Sequence, residues 1–541
     1  MLNLSPQKIL IVEDQAVMRE TLKHILYGMN AKQIIEAENG NNAIAAMIKT
    51  RFDIVLCDYN LGAGKNGQQV LEEARHLKLL PFSALFLLVT SEQNPAMVLS
   101  AVGNKPDDYL IKPFNGQQLL NRLERCFIRK SALADVESEL DKGNLYQAIT
   151  NCETLLAQHD KKIRMQLLKI RAELALKISD FKTAKAVYLD VLLERDLPWA
   201  RLGLAIVAYS EGDYFDAIES LHELTEQFPM LLEAYDWLAK AYEATKNVDG
   251  AISAITQAIE LSPHTILRQQ QLALLADSVN SLDLANKAYK AAIKLGRNSV
   301  HKSSSDFSGL AKNLLKTKAN STVLNLVSEL LEQFPDDPEA RLRAAALETE
   351  IYRTLGKNEL AQKSYEKTVK LNKQFGSEAS RELRLEIAQT CFQRGNTEIF
   401  DQIMQELIKT NIDDKKFLES ITRICTEMMN ENYAESLIHR VKQELVDINN
   451  RGVSLFKEGK IKEALAVFEQ AISNLPNNQT IVLNISKIMV HDLKTSGGDS
   501  EKIQKAQAYI NKAIQLGIPH DKIGGLQAEL ARITHHQHHS R

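Results

Sequence analysis

The first 130 residues alternate short apolar runs with stretches of helical hydrophobic periodicity. Strands are predicted near residues 8–13, 32–37, 53–58, 84–89 and 107–111, and amphipathic helices near 15–29, 40–50, 67–77, 94–102 and 115–129. An unbroken apolar run such as 54–57 suits a strand that is buried on both faces, as in a parallel sheet. Five alternating units therefore predict a doubly wound α/β domain over 1–130. The last of these helices continues with few helix breakers, which favours a continuous helical linker to the next domain.

Strand signals vanish from about residue 131, and a helical pattern with a fixed period replaces them. Ala217, Ala251 and Ala285 are spaced 34 residues apart, and so are Pro229 and Pro263. This period and the helix–turn–helix pattern resemble the tetratricopeptide repeat. A late copy at 451–476 has small and large residues at the positions where the tetratricopeptide repeat has them. These residues are Gly452, Leu455, Gly459, Ala464, Phe468, Ala471 and Pro476.

Weaker copies bring the expected number of repeats to about eleven over residues 131–520. They centre on Ala148, Ala184, Val323, Ala361, Phe400, Ala434 and Ala506, with irregular insertions near 301–306, 375–378 and 495–499. A single hairpin cannot bury its apolar face, so the hairpins must stack into an all-α solenoid. These positions are core positions, and they identify a scaffold rather than a ligand.

Residues 521–541 are predicted to be a disordered, histidine-rich tail. The alternative is a metal site formed by its four histidines, and the interrupting glutamine and lack of flanking acids or cysteines argue against it. The histidines are His535, His536, His538 and His539.

Charge, cysteine content and hydropathy limit the classes of protein to which the chain can belong. The 541 residues carry a net charge of −3. The chain therefore lacks the overall positive charge that is typical of nucleic-acid-binding proteins. The scattered cysteines (Cys57, Cys126, Cys152, Cys391 and Cys425) are expected to be small buried residues in a reducing compartment. No signal peptide and no apolar run long enough to span a membrane are predicted, so a cytoplasmic location is expected.

Polar groups close four of the five predicted strands, at the edge where open α/β sheets place their sites. The first apolar run ends in Glu13 and Asp14, the third in Asp58, the fourth in Thr90, and the fifth in Lys112 followed by Pro113. Clustered carboxylates suit Mg²⁺, whereas a lysine and a hydroxyl can both bind phosphate oxygens. Phosphoryl transfer needs mostly positioning and charge stabilisation, so this small set of groups suffices.

This set of residues, in this order, resembles the flavodoxin-like receiver domain of two-component response regulators. The resemblance covers about residues 8–129. It implies that Asp58 accepts a phosphoryl group from a histidine kinase or phosphotransfer protein. It also implies that Asp14, Asp58 and the carbonyl of Asn60 hold Mg²⁺, with Glu13 acting through water.

The resemblance assigns two further pairs of residues. Tyr109 would change rotamer together with Thr90 when the domain switches. Asn60 and Glu92 would flank the path of the hydrolytic water, so a bulky apolar residue at either position is expected to slow dephosphorylation. The loop at 59–67 is one residue longer than is usual in the family, and the first acid is Glu13 rather than aspartate.

Three glycines in this loop, Gly62, Gly64 and Gly67, spell G-x-G-x-x-G. This pattern could indicate a dinucleotide site. It follows the third predicted strand rather than the first, and residues 58–61 separate it from that strand. A flexible turn is the favoured interpretation.

The sequence thus predicts a non-enzymatic response regulator whose output is a protein-binding repeat array. A protein or peptide would bind the groove of the array, and a homodimer is an open alternative. Phosphate is expected to act through the face formed near 94–102, 107–111 and 115–129. Two other functions stay open, a transcriptional regulator that reaches DNA through an unrecognised helical segment and a constitutive scaffold. The near-neutral array argues against the first and the complete acceptor set against the second.

Overall fold

The computed structural model describes residues 3–91, 106–158, 163–317, 320–428, 431–475, 477–497 and 500–539. The chain divides into two compact units. The first comprises Met1–Leu176 and Phe181–Pro335, and the second comprises Lys177–Asp180 and Asp336–Arg541. Glu92 and the helix predicted near 94–102 lie outside the described residues.

A five-stranded parallel sheet forms the centre of the N-terminal domain, in the first unit. Its strands are β1 (Lys8–Val12), β2 (Gln33–Ala37), β3 (Ile54–Asp58), β4 (Leu85–Thr90) and β5 (Asp108–Ile111). Their order in the sheet is β2-β1-β3-β4-β5, which confirms the doubly wound α/β class. Central β3 is buried along its whole length, whereas edge strand β2 is largely exposed.

Within residues 3–91 and 106–158, four helices cover the two faces of this sheet: α1 (Ala16–Gly28), α2 (Gly40–Lys49), α3 (Gly67–His76) and α4 (Gly116–Asp141). Successive strand residues point to opposite faces, so each strand serves two cores. Ile54 and Leu56 of β3 pack in the core with α1 and α4. Val55 and Cys57 pack in the core with α2 and α3. The run at 54–57 is apolar at every position because helices cover both faces of β3.

Capping boxes fix the starts of the two helices that follow site loops. The Asn66 side chain accepts a hydrogen bond from the Gln69 backbone, and the Gln69 side chain accepts one from the Asn66 backbone. Asn115 and Gln118 repeat this arrangement at the start of α4. Each box satisfies two backbone donors that the helix leaves unpaired.

Helix α4 is 26 residues long and belongs to two cores. Leu119 and Leu123 pack in the core of the sheet domain. Leu133 and Val136 pack in the first core of the helical array. The predicted continuous linker is therefore confirmed, and the domain boundary predicted between residues 130 and 131 falls inside this helix.

Helical hairpins make up the rest of the described chain. They comprise α5 (Leu145–Ala157), α6 (Arg164–Lys177), α7 (Phe181–Glu194), α8 (Pro198–Glu211), α9 (Tyr214–Gln227), α10 (Leu232–Ala244), α11 (Val248–Leu261), α12 (Ile266–Ser278), α13 (Leu282–Gly296), α14 (Ser304–Lys316), α15 (Asn320–Gln333), α16 (Pro338–Thr354), α17 (Asn358–Phe375), α18 (Arg381–Gln393), α19 (Thr397–Thr410), α20 (Lys415–Met428), α21 (Glu431–Lys457), α22 (Ile461–Asn474), α23 (Gln479–Ser496), α24 (Ser500–Gln515) and α25 (His520–His539).

The eleven anchor positions predicted from the repeat pattern share one property, a solvent exposure of 0%. They are Ala148, Ala184, Ala217, Ala251, Ala285, Val323, Ala361, Phe400, Ala434, Ala464 and Ala506. Glycines allow equally close contacts between the helices of the array. A Cβ atom at Gly203 would lie 2.2 Å from the ring of Tyr188, and one at Gly452 would lie 2.4 Å from Phe468. These distances leave no room for any side chain.

The prediction of a disordered tail over 521–541 is wrong for most of its length. Helix α25 spans His520–His539, and Ile523 and Leu530 are each 1% exposed in the core of the second unit. The apolar residues Ile523, Leu526, Leu530 and Ile533 recur at spacings of three and four, which gives the helix one apolar face. The side chains of the four tail histidines lie outside the described residues.

Two further findings concern the whole described chain. All five cysteines are free and buried, which confirms the prediction that they are buried and form no disulfides. Among the described residues, no helix is both long and apolar enough to cross a lipid bilayer.

Candidate functional site

The carboxyl ends of β1, β3 and β5 bring two buried acids and one lysine into contact. Lys112 Nζ lies 2.7 Å from Glu13 Oε2 and 3.0 Å from Asp58 Oδ2. The side chains of Glu13 and Asp58 are 1% and 7% exposed. Because little water screens these pairs, their electrostatic attraction is stronger than that of surface ion pairs.

Asp14 completes an acidic cluster at the same edge. One carboxylate oxygen each from Glu13, Asp14 and Asp58 can lie within 4.8 Å of the others, and Asp14 is exposed to solvent. Three carboxylates against one ammonium group leave a net negative charge. A hard divalent cation such as Mg²⁺ prefers oxygen ligands of this kind and keeps several waters, so the donor set fits it. Asn60 lies two residues after Asp58, in the loop next to the cluster.

Burial and pairing act on the same three groups in opposite directions. Burial raises the pKa of Asp58, against the effect of Lys112 and of the backbone N–H groups of Tyr59 and Asn60. Burial likewise raises the pKa of Glu13, with a further rise from the nearby Asp58 charge, and Lys112 opposes both. For Lys112, burial lowers the pKa, but the bonds to Glu13 and Asp58 outweigh it and the net pKa is raised. Lys112 therefore stays charged.

The predicted switch residues lie on neighbouring strands beside this cluster. Thr90 ends β4 and is 6% exposed, and its carbonyl accepts a hydrogen bond of 2.7 Å from the Lys112 backbone. Tyr109 on β5 packs against the core that contains Tyr59. Among the described residues, nothing forms a hydrogen bond with the buried Tyr109 hydroxyl. Burial raises the pKa of Tyr109 to about 12, with a smaller effect from Tyr59.

The glycine pattern after β3 is a turn, as the sequence interpretation favoured. Gly62 and Gly64 have φ values of +69° and +104°, a region that side chains other than glycine rarely adopt. Gly67 has a different role, which sequence reasoning missed. A Cβ atom there would lie 2.2 Å from the carbonyl oxygen of Asp58. The absence of a side chain at Gly67 thus lets α3 begin directly against the end of β3.

Arg19 is a second residue that sequence reasoning missed. Its guanidinium donates hydrogen bonds to the carbonyl oxygens of Glu13 (2.7 Å) and Asp14 (3.0 Å). It therefore positions the backbone that carries both acids. An arginine five residues after an acid pair, in the first turns of the following helix, is the signal that could have revealed it.

Comparisons with known proteins agree with this geometry. The family model described as response regulator receiver domain matches residues 9–124. Chemotaxis protein CheY of Pseudomonas aeruginosa is 32% identical over 125 residues, which make up 23% of this chain and 97% of that protein. This chain belongs to the response regulator receiver family.

Two more similarities extend the comparison. The transcriptional regulatory protein ResD of Bacillus subtilis is 32% identical to this response regulator over 124 residues, which make up 23% of this chain and 49% of ResD. The crystal structure of chemotaxis response regulator CheY4 of Vibrio cholerae is 28% identical. The match covers 22% of this chain and 98% of the CheY4 chain, with a TM-score of 0.21. Each of these matches covers 22% or 23% of this chain, a length close to that of the receiver domain.

Tetratricopeptide repeat models match residues 202–264 and 350–375 of the response regulator. The chain therefore combines an N-terminal receiver domain of the two-component type with a tetratricopeptide repeat region. The acidic cluster and Lys112 lie in the receiver domain.

Proposed function

We propose that Asp58 accepts a phosphoryl group from a histidine kinase or phosphotransfer protein, in a reaction that depends on Mg²⁺. The observation that carries this proposal is the pairing of one lysine with two buried carboxylates, with Asp14 beside them. This arrangement leaves Asp58 at the carboxyl edge of the sheet, where a donor can reach it.

In the transfer, a carboxylate oxygen of Asp58 forms a bond to phosphorus while the bond from phosphorus to the imidazole nitrogen of the donor breaks. The imidazole leaves with the electron pair of that bond. Lys112 would move from the carboxylates to a phosphoryl oxygen, and the Thr90 hydroxyl can donate to another. Glu13, Asp14, Asp58 and the Asn60 carbonyl would hold the metal, which would neutralise charge on the phosphoryl group.

The output in this proposal is the repeat array, which binds a protein or peptide partner rather than turning over a substrate. Stacked hairpins present extended concave surfaces of the kind that repeat proteins use for binding. Phosphorylation of Asp58 would control this binding, so the chain would act as a regulator and not as an enzyme.

The acceptor assignment is tested by incubating the full chain with acetyl phosphate and Mg²⁺, and by counting phosphoryl groups with intact-mass spectrometry. We expect one phosphoryl group on the unsubstituted chain and none on Asp58→Asn. Asp216→Asn, which removes an exposed carboxylate from α9, is the matched control and should be phosphorylated normally. Normal phosphorylation of Asp58→Asn would refute the assignment.

The metal assignment is tested separately with Asp14→Ala. This change removes one carboxylate from the cluster, so Mg²⁺ binding measured by titration calorimetry should weaken by tenfold or more. An unchanged Mg²⁺ affinity would contradict the metal cluster.

The output assignment is tested by capturing partners with the full chain, with and without acetyl phosphate. Proteins that bind in a phosphorylation-dependent manner, and not to Asp58→Asn under the same conditions, would support it. The same bound proteins at the same level in every condition would contradict control by Asp58.

A further inference from the structure

Residues 297–303 of the repeat array, between α13 and α14, lie against the receiver domain within the first compact unit. Asn298 Nδ2 donates a hydrogen bond of 3.0 Å to the carbonyl oxygen of Gly64, which lies in the loop between β3 and α3. The rings of His76, at the end of α3, and His301 meet edge to face with centroids 6.0 Å apart. We call this contact the clasp.

A cavity of about 180 Å³ lies beside the clasp and has walls from both domains. Asn60 and Gln68 line it from the receiver, and His264 and Ser299 line it from the array. Gln68 is only 6% exposed although it lies in the first turn of α3. The cavity wall thus includes Asn60, whose carbonyl oxygen is a Mg²⁺ ligand in the proposed function.

The array side of the clasp is held by its own hydrogen bonds. Gln270 Nε2 donates to the carbonyl oxygen of His301 (3.2 Å) and to Asp306 Oδ2 (2.8 Å). Lys302 Nζ donates to the carbonyl oxygen of Gln333 (2.8 Å). The bonds of His301 and Lys302 tie the segment to α12 and to the end of α15, so it presents a fixed surface to the receiver.

The receiver side of the clasp is connected to the acceptor. The loop starts directly after Asp58, where the Tyr59 backbone N–H donates a hydrogen bond of 2.8 Å to the carbonyl oxygen of Val89, and the backbone N–H groups of Tyr59 and Asn60 lower the pKa of Asp58. A Cβ atom at Gly62 would lie 3.2 Å from Asp14 Oδ2, so the loop also packs against the metal-binding acid. The loop at 59–66 therefore touches the acceptor with one end and the array with the other.

We propose that the clasp is closed when Asp58 carries no phosphate and opens when Asp58 is phosphorylated. This inference rests on the proposed function. Phosphorylation bonds phosphorus to one carboxylate oxygen of Asp58, and the phosphoryl oxygens add new acceptors for the backbone N–H groups at the start of the loop. Movement of the loop towards the phosphoryl group pulls Gly64 away from Asn298, so the clasp contacts favour the unphosphorylated state.

The hydrogen bond from Asn298 to the Gly64 carbonyl oxygen depends on the position of the loop, so a change in the loop that breaks it favours opening of the clasp. One neutral hydrogen bond typically shifts an equilibrium by about fivefold. By linkage, the clasp must also weaken the binding of a phosphoryl mimic by the same factor as the mimic weakens the clasp. The clasp makes the array a negative regulator of the acceptor site.

Cross-linking tests the opening directly. His76→Cys combined with His301→Cys places two thiols across the clasp, and the native cysteines are all buried, so a short bismaleimide should react with the new pair. We expect efficient cross-linking of the unphosphorylated chain and a severalfold lower yield after treatment with acetyl phosphate and Mg²⁺. The control pair, His76→Cys with His222→Cys on α9, should give no cross-link in either state.

Adding Asp58→Asn to the clasp pair should keep the cross-linking yield high in the presence of acetyl phosphate. An equal yield before and after phosphorylation, or no cross-link in the unphosphorylated chain, would overturn the clasp. The phosphoryl group is counted in the same samples by mass spectrometry. A chain that takes up no phosphate refutes the proposed function, whereas a phosphorylated chain with an unchanged yield refutes the clasp alone.

Linkage gives a second, independent measurement. Asn298→Ala removes the hydrogen bond to Gly64 and should tighten the binding of beryllofluoride with Mg²⁺ by about fivefold. Arg297→Ala is the matched control, because Arg297 pairs with Glu329 inside the array (3.1 Å). Equal beryllofluoride affinities of Asn298→Ala and the unsubstituted chain would contradict the coupling.

Discussion

Glu137 is an acid that the fold buries at the junction of the receiver and the array, and its charge should destabilise that junction. It lies on α4, 7% exposed, with Oε1 3.1 Å from Lys130 Nζ. Among the described residues, its Oε2 is buried without a hydrogen-bond partner. Burial, opposed by Lys130 and aided by Asp107, raises the pKa of Glu137 from 4.5 to about 7.

The direction of the pH dependence follows from this shift. Because the pKa is higher in the folded chain, the folded state binds the proton more tightly than the unfolded state. The stabilisation is complete below pH 4.5 and is lost as the pH rises through about 7. A shift of 2.5 units, from 4.5 to about 7, corresponds to about 3 kcal/mol at most.

Glu137→Gln removes the titration and keeps the shape of the side chain. We expect this variant to be more stable than the unsubstituted chain at pH 8. The stability difference should shrink by about 2 kcal/mol between pH 8 and pH 5. Amide hydrogen exchange of α4 at each pH measures the local opening free energy and needs no two-state unfolding of the whole chain.

Glu139→Gln on the same helix is the matched control. Burial opposes the ionisation of Glu139, but hydrogen bonds from Lys142 and Asn144 outweigh it and hold the pKa of Glu139 below its usual value. Its replacement should therefore destabilise α4 above that pKa, the opposite sign. A stability difference for Glu137→Gln that is the same at pH 5 and pH 8 would refute the reasoning.

Three further substitutions test the site and the packing. Gly67→Ala places a Cβ atom 2.2 Å from the Asp58 carbonyl oxygen. The free energy of unfolding in urea should therefore fall by about 1–3 kcal/mol, and phosphorylation by acetyl phosphate should slow. Normal values of both quantities would contradict this role of Gly67. Gly203→Ala meets the ring of Tyr188 at 2.2 Å and should lower the melting temperature of the array, whereas an unchanged melting temperature would show that the helices can separate without cost. Lys112→Ala removes the cation that competes for the acids, so Mg²⁺ should bind more tightly by calorimetry while phosphorylation slows, and weaker Mg²⁺ binding would contradict the competition.

The receiver core was predictable because each of its interactions leaves a local pattern. The run at 54–57 is apolar at every position because β3 has a helix layer on each side, and its end fixes the place of Asp58. The same holds for the eleven anchors of the array, nine of which are buried alanines that recur at about the repeat period because neighbouring helices pack closely there. Periodicity and strand ends thus locate the groups that the fold brings together.

Contacts between distant parts of the chain leave no such pattern. Gly64 and Asn298 lie 234 residues apart, and nothing in either local sequence indicates that they meet. The sequence favoured the face near 94–102, 107–111 and 115–129 as the route to the array, whereas the clasp uses the loop after β3. The role of Gly67 was hidden for the same reason, because a close approach depends on the backbone opposite and not on neighbours in the sequence.

Because α4 belongs to two cores, its helical phase limits where one receiver domain can be exchanged for another by protein engineering. One residue turns an α-helix by about 100° and advances it by about 1.5 Å. A chimera joined at residue 130 with one residue too many would therefore rotate Leu133 and Val136 away from their core while Leu123 stays in place. Such hybrids should keep the helical phase through α4 or be joined after it ends, at Gly143, where the backbone turns with φ +76°. Donor receivers can then be screened by the length of their last helix before any is made.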